Sequence, residues 1–290
     1  MLNNNITPML LSESNKVPIS NNYIYELKYD GIRALIYINS KNIKIYTRNK
    51  IDVTYLFPEL KKLKNLTNSN TILDGEIICT KDGKPNFSKL LSRIRLKNKE
   101  KINSQSIWNR VTFICFDILM YNNLDLKDYT LLERKNILNN FKDNDIFFKS
   151  KIFYDGKKLF KTIKKFNLEG IVCKDINSKY IPNIRTNNWI KVKNYKIENF
   201  YIGGYKINTS HTISIYLGEL SNNRLNYIGK VFVSKKNKLY KKLQNSKKTA
   251  NNFTNLEENI IFIKPDIKVK IRYIERTENN RLREAFLCDS

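Results

Sequence analysis

No apolar run in the sequence approaches the ~20 residues needed to span a bilayer, so no transmembrane helix and no membrane partner are expected. The N-terminus, MLNNNITPML, has neither the basic start nor the long apolar segment of a secretory signal. Cysteine is sparse. Cys79, Cys115, Cys173 and Cys288 include no C-x-x-C pair, which argues against zinc and against a disulfide framework. The first three lie in apolar strand-like runs and read as reduced core residues, which makes a cytoplasmic location the expectation. The one histidine, His211, sits among polar residues and reads as an exposed loop side chain. Acidic residues are scarce: 27 Asp+Glu stand against 53 Lys+Arg, a formal net charge of +26. Such a surplus suits a polyanionic partner, nucleic acid first. The chain is also rich in Asn and Ile, which share AT-rich codons with Lys, so composition is a competing source of part of the charge.

What is present describes a folded protein. A length of 290 residues, 41% hydrophobic and 12% aromatic, supports one large domain or two smaller ones. Short β-rich runs dominate to about Lys193. Helical spacing of apolar residues intervenes around Phe87–Leu96, Leu131–Phe141 and Lys157–Phe166. This order reads as α+β. Beyond VKNYKIEN the texture changes to five short strands, FYIGGYKI, TISIYLGEL, RLNYIGKVFV, NIIFIKP and KVKIRYIERT, with a Lys-rich helix (about Lys235–Asn245) between the third and fourth. Five strands in under a hundred residues suggest a small barrel of OB type. The GGY at Gly203–Tyr205 reads as a turn or bulge and not as a phosphate loop.

One stretch asks for a chemical explanation. YIYELKYDGIRALIYI, from Tyr23 to Ile38, places Lys28 at a strand end before a turn at Gly31, with Asp30 and Arg33 close behind. A lysine amine attacks only when neutral, and nearby cations such as Arg33, or desolvation, lower its pKa. Attack on the α-phosphorus of a nucleotide makes a phosphoramidate and expels pyrophosphate. That chemistry needs cations for the developing charge, carboxylates for a metal and a platform for the base. Other strand ends offer each part: Arg48 in YTRN, Asp74 and Glu76 in LDGEI, Phe116 and Asp117 in FICFDIL, Glu169 and Lys174 in LEGIVCK, and Lys191 and Lys193 in NWIKVK. The i, i+2 spacing of the last two puts both on one strand face. Taken singly, each has an ordinary reading: Phe116 as core, Glu76 as an edge residue, the lysine pair as a polar face, Lys28 as an ion-pair partner of Asp30. The ordered set points to nucleotidyl transfer.

In that order KYDGIR, TRN, DGE, FDIL, EGIVCK and WIKVK resemble motifs I, Ia, III, IIIa, IV and V of the covalent nucleotidyltransferases, specifically of ATP-dependent DNA ligases. ENFYIGGYK, LNYIGKV and FIKPDIKVKIRYIERTENNRLREAF resemble the OB domain of the ligase module of bacterial ligase D, the end-joining ligase. The resemblance covers nearly the whole chain. It implies an α+β fold of two domains: an adenylyltransferase core of ATP-grasp-like antiparallel sheets with helices over residues 1–196, then a small OB-fold β-barrel over residues 197–290. It also implies roles. Lys28 is the adenylated nucleophile, kept partly uncharged by Arg33, Lys191 and Lys193. Glu26 lies by the adenine edge. Arg33 and Arg48 contact the ribose and phosphates and later the 5′-phosphate of the nick. Glu76 accepts from a ribose hydroxyl and helps hold the metal, Phe116 stacks on adenine, Glu169 binds the divalent metal, and Lys191 and Lys193 bind the α-phosphate.

The implied reaction has three steps: lysine adenylation, AMP transfer to the nick 5′-phosphate, and attack by the 3′-hydroxyl with release of AMP. ATP is the expected donor with Mg²⁺ or Mn²⁺. NAD-dependent relatives need a domain ahead of the lysine, where only 27 residues stand, and a zinc finger for which no cysteine spacing exists. Nicked duplex DNA is the expected partner of a monomeric, stand-alone ligase in nucleoid-associated repair. Ku and separate end-processing polymerase or phosphoesterase chains are candidate associates. The sequence departs from the family after LREAF: Arg283 matches the first arginine of motif VI, but the terminal basic pair has no counterpart. Slow adenylation is therefore expected, with Arg283 and Arg281 partly replacing the pyrophosphate-binding cations. Rival readings are an RNA ligase or a GTP-using capping enzyme on the same core, and an inactive nucleic-acid-binding protein.

Overall fold

The structure, a computed structural model, describes residues 6–288. Its contacts divide the chain between Asn194 and Tyr195 into two compact units. The first contains strands β1 (Leu10–Glu13), β2 (Tyr23–Lys28), β3 (Ile32–Ile38), β4 (Ile43–Thr47), β5 (Thr71–Lys81), β6 (Lys84–Pro85), β7 (Val111–Tyr121), β8 (Leu124–Asp125), β9 (Phe147–Lys149), β10 (Gly170–Asp175) and β11 (Arg185–Lys193). Its helices are α1 (Phe87–Ile94), α2 (Lys99–Trp108), α3 (Leu131–Leu138) and α4 (Gly156–Phe166). The strands form two sheets, one ordered β1-β11-β10-β2 and a larger one built on β4-β3-β5-β7-β8.

Alternation along the strands decides the layers, since successive side chains point to opposite faces. In β3, Ala34, Ile36 and Ile38 enter one core with Leu60, Leu63, Leu90 and Ile102 from the helical segments. Leu35 and Tyr37 enter another with Ile24, Trp189 and Tyr180, which belong to the smaller sheet and its flank. The second face of the smaller sheet, Tyr25, Ile171, Cys173 and Val192, packs on Leu159 and Ile163 of α4. The unit is thus helices, large sheet, small sheet, helix, and the middle layer between the sheets holds the candidate site residues Lys28, Arg33 and Phe116. Each buried Leu, Ile or Phe contributes ~1.5–3 kcal/mol to this arrangement.

Local sequence explains the helix limits. Asn86 and Asp155 cap α1 and α4 by accepting from the backbone N–H three residues on. Thr130 and Glu133 make a reciprocal capping box that starts α3. Asn167, in the left-handed region at φ 52°, ends α4. Helix α2 is absent from the sequence reading because only Ile102 of its ten residues is buried, so no apolar stripe marks it.

The second unit has β12 (Lys196–Ile207), β13 (Thr212–Ser221), β14 (Arg224–Ser234), helix α5 (Lys238–Gln244), β15 (Ile261–Phe262), β16 (Lys268–Tyr273), β17 (Glu275–Arg276), β18 (Leu282–Arg283) and β19 (Phe286–Leu287). Its main sheet runs β14-β13-β12-β16-β19, with β15 also paired to β12. The register of β12 against β13 slips between Ile202 and Gly204, a bulge at the GGY sequence. The fourth expected strand is only two residues long, and the fifth is broken into β16 and the small β17–β18 hairpin.

Candidate active site

Strand β10 organises the small sheet. Gly170 pairs with Lys28 on one side and Lys193 on the other; Val172 pairs with Glu26 and Lys191; Lys174 pairs with Ile24 and Trp189. Directly opposed residues share a face, so Lys28, Glu26, Lys174, Trp189, Lys191 and Lys193 all project from the side away from α4. A Cβ on Gly170 would lie 2.3 Å from the Val192 carbonyl oxygen, so glycine permits the close approach of β11 between the two lysines. The large sheet supplies the facing wall: Arg33 on β3 pairs with Glu76 on β5, and Phe116 comes from β7. At the turn from β2 to β3, a Cβ on Gly31 would meet the Ile77 carbonyl oxygen at 2.2 Å, so only glycine brings Lys28 this close to β5. A pocket of about 60 Å³ between the walls is lined by Glu26, Lys28, Arg33, Glu76, Phe116, Lys174 and Trp189, among others.

Lys28 is not held uncharged. Its Nζ lies 2.7 Å from Oε1 of Glu169. Burial pulls the ammonium pKa down, but the Glu169 carboxylate and then Glu76 outweigh it and hold Lys28 above the ordinary lysine value. The expectation that Arg33, Lys191 and Lys193 keep the amine partly neutral is thus corrected. Two acids, Glu169 and Glu76, act on Lys28, while Arg33 and Lys191 have carboxylates of their own. Lys191 pairs with Glu13 at 3.0 Å. The main ion-pair partner of Lys28 is Glu169, one residue ahead of β10, rather than Asp30. Burial pushes the Glu76 carboxyl up to about 8 against the pull of Lys28 and Arg33.

Arg33 lines the pocket, but its guanidinium grips Asp74 through Nε at 3.0 Å and Nη2 at 2.6 Å, and donates from Nη1 to the Met9 carbonyl at 2.5 Å. Tyr180 donates to the same Asp74 carboxylate at 2.7 Å. On β7, Asp117 is gripped by Arg134 at 2.8 Å through each of two nitrogens. Asp74 and Asp117, which the sequence offers at strand ends without an assigned role, are buried counter-ions that fix Arg33 and α3. Bidentate geometry of this kind suits arginine and rewards burial.

At the other end of the pocket, Glu26 is buried and bridges two lysines, Lys135 of α3 at 2.5 Å and Lys174 at 3.0 Å. The Lys174 Nζ also lies 4.4 Å from the Phe116 ring centroid and 4.1 Å from that of Trp189. Burial lowers Lys174 to about 8 despite Glu26. Lys135, Trp189 and Tyr180 had no assigned role in the sequence reading. Trp189 was within reach of it, two residues before Lys191 on the same strand face; Lys135 and Tyr180 carry no local signal. Arg48 is exposed in the turn after β4 and does not line the pocket. In the second unit, Arg283 pairs with Glu275 at 2.6 Å across the β17–β18 hairpin, and the Arg281 guanidinium lies 4.2 Å from the Tyr227 ring centroid.

Residues 8–193 match the ATP dependent DNA ligase domain family. The chain is 36% identical over 204 residues to the SPbeta prophage-derived DNA ligase-like protein LigB of Bacillus subtilis (strain 168), covering 69% of this chain and 72% of that protein. It is 26% identical over 294 residues to the multifunctional non-homologous end joining protein LigD of Mycolicibacterium smegmatis, covering 96% of this chain but only 37% of LigD. The fold is shared with mycobacterial DNA ligase D complexed with ATP and MES, at a TM-score of 0.60 and 23% identity over 98% of this chain and 94% of that one. With a family match across well over half its length, the chain belongs to the ATP-dependent DNA ligases.

Proposed function

We propose that this ligase carries AMP on Lys28 and seals 3′-hydroxyl/5′-phosphate breaks in duplex DNA. The observation that carries this reading is the row Lys28–Gly170–Lys193, with Glu169 holding the Lys28 amine at 2.7 Å and Phe116 across the pocket. Residues 1–196 act as the adenylation domain and residues 197–290 as an OB-fold domain. The five-strand core and interposed helix of the second unit support the latter.

In the first step, a neutral Lys28 amine attacks the α-phosphorus of ATP, the N–P bond forms as the bond to the β-phosphate oxygen breaks, and pyrophosphate leaves. Lys191 and Lys193 neutralise the phosphate charge, Phe116 stacks on the base, Glu26 lies at its edge, Glu76 accepts from the ribose, and Arg33 contacts ribose and phosphates. Arg48, exposed outside the pocket, meets the 5′-phosphate of the nick. AMP then passes to the 5′-phosphate of the nick, and the 3′-hydroxyl displaces it. Positioning and charge neutralisation carry most of such a transfer.

The donor set fits a hard divalent cation. Oε2 of Glu169 is buried with no hydrogen-bond partner, and Glu76 offers a second carboxylate to the pocket. No cluster of three or more acidic, His or Cys ligands is found among the described residues. That pattern suits Mg²⁺ or Mn²⁺ shared with nucleotide phosphates. Bound there, the ion would offset phosphate charge.

The LigD relative is named for non-homologous end joining. Repair of nicks or broken ends by a monomer, with Ku and separate end-processing enzymes as associates, is the cellular setting we propose. Sealing of a singly nicked duplex, with α-labelled ATP and GTP compared in protein labelling, tests the reading. Labelling by GTP alone, or sealing restricted to ribonucleotide ends, would overturn it.

A further inference from the structure

Helix α3 carries a lysine on its buried face. Lys135 follows Leu131 by four residues and precedes Leu138 by three, and all three are buried. The capping box of Thr130 and Glu133 fixes where the helix starts. Arg134, gripping Asp117 of β7 at 2.8 Å through each of two nitrogens, fixes how it sits on the large sheet. Lys135 is thereby aimed at Glu26, with its Nζ 2.5 Å from Oε1. Neither of those two atoms makes a hydrogen bond among the described residues. The contact is one of charge, and Oε1 keeps the capacity to accept from a donor.

The two lysines on Glu26 stand in different places. Lys174 lines the pocket beside Glu26, Phe116 and Trp189, whereas Lys135 does not border it. An ammonium buried against one carboxylate carries a desolvation cost, and methionine would fill the same helix face without it. Packing therefore does not account for a lysine at this position. Its charge does one thing that Lys174 cannot: it stays with Glu26 when Lys174 turns toward a bound nucleotide. Two cations together hold the Glu26 carboxyl below the usual carboxylate range against the pull of burial. An ionised carboxylate only accepts hydrogen bonds, while a protonated one also donates.

We infer that Lys135 is a positioning residue for base selection: from behind the pocket it keeps Glu26 a fixed, acceptor-only group, which takes a hydrogen bond from the 6-amino group of the ATP base. The inference rests on the reading that places Glu26 at the base edge, and adds to it the residue that makes that edge selective. A 6-oxo purine would turn a carbonyl oxygen toward the same carboxylate and be repelled. Lys135 itself touches no nucleotide and acts through Glu26 alone.

The test measures single-turnover self-labelling of the full chain by α-labelled ATP and by α-labelled purine riboside triphosphate, which lacks the 6-amino group. The wild type should favour ATP in kcat/KM by about tenfold or more, the worth of one hydrogen bond to a charged group. In Lys135→Met that preference should collapse toward one, through a raised KM for ATP and little change for the analogue. Lys135→Arg, which keeps the charge, should restore most of it. Lys135→Gln is read in the same way if the methionine variant does not fold. Equal losses for the two nucleotides would mark Lys135 as structural and overturn the inference, as would a wild type that does not distinguish them. A wild type that fails to label with ATP, or to seal nicks, overturns the ligase reading itself.

Discussion

The Lys174 ammonium lies 4.4 Å from the centre of the Phe116 ring and 3.0 Å from the Glu26 carboxylate, which also holds Lys135. A buried acid with two cations tolerates loss of one partner poorly. Lys174→Met should therefore lower Tm by several degrees and raise the KM for ATP in self-adenylation. Glu26→Gln alone leaves both buried lysines without their carboxylate, so the double variant should lose less stability than the sum of the two single losses. Additive losses in this double-mutant cycle would show that the residues do not act as one network.

Lys28→Ala should abolish the labelled enzyme–AMP adduct and spare joining of DNA that already carries a 5′-adenylate, because the final step does not use the lysine as nucleophile. Adduct formation at the wild-type level would move the nucleophile elsewhere.

Adenylation should show a specific pH signature. Lys28 reacts when neutral, and Glu169 and Glu76 hold its pKa above the usual lysine value despite burial, so the single-turnover rate should rise through pH 7–9 without a plateau. Burial raises Glu76 to about 8. As that carboxyl ionises it adds negative charge beside Lys28 and raises the lysine further, so the log rate should bend below unit slope near pH 8. Glu76→Gln should straighten the profile whatever its effect on the absolute rate. A bend that survives the substitution would assign it to another group, Lys174 at about 8 being the first candidate.

Arg134→Met should destabilise the first unit by about 3–5 kcal/mol, because it strands the Asp117 carboxylate in the core. Lys44→Met, which breaks the solvent-exposed pair with Asp52, should cost less than ~1 kcal/mol. Chemical denaturation of the two variants measures the contrast, and similar losses would refute it.

Arg283→Ala should slow adenylation more than joining of pre-adenylated nicks, since a cation that meets leaving pyrophosphate acts in the first step alone. Arg283 is paired with Glu275 across a short hairpin. Equal losses in both steps would make that pairing its whole role.

Much of the site could be read from short strings. Lys28, Glu76, Phe116, Glu169, Lys191 and Lys193 each stand in a local motif, and period-two alternation shows which neighbours share a face. The caps Asn86, Thr130 and Asp155 likewise act within three residues of their own position. Those features are short-range, so the chain itself determines them: strand alternation, helix starts, the glycine at 31 and the order of the motifs.

What only the tertiary structure decided was which charge neutralises which. Glu169 reaches Lys28, Asp74 takes Arg33, Asp117 takes Arg134, and Glu26 gathers Lys135 and Lys174, over separations of 17 to 148 residues where the hydrogen bonds measure them. In sequence, Arg33 follows Lys28 as a neighbouring cation and Asp74 stands as a free acid. In the fold, Arg33 and Asp74 are one buried pair and Lys28 is left facing carboxylates. Coulomb attraction in a low-dielectric interior depends on distance and burial, and sheet register and packing set both.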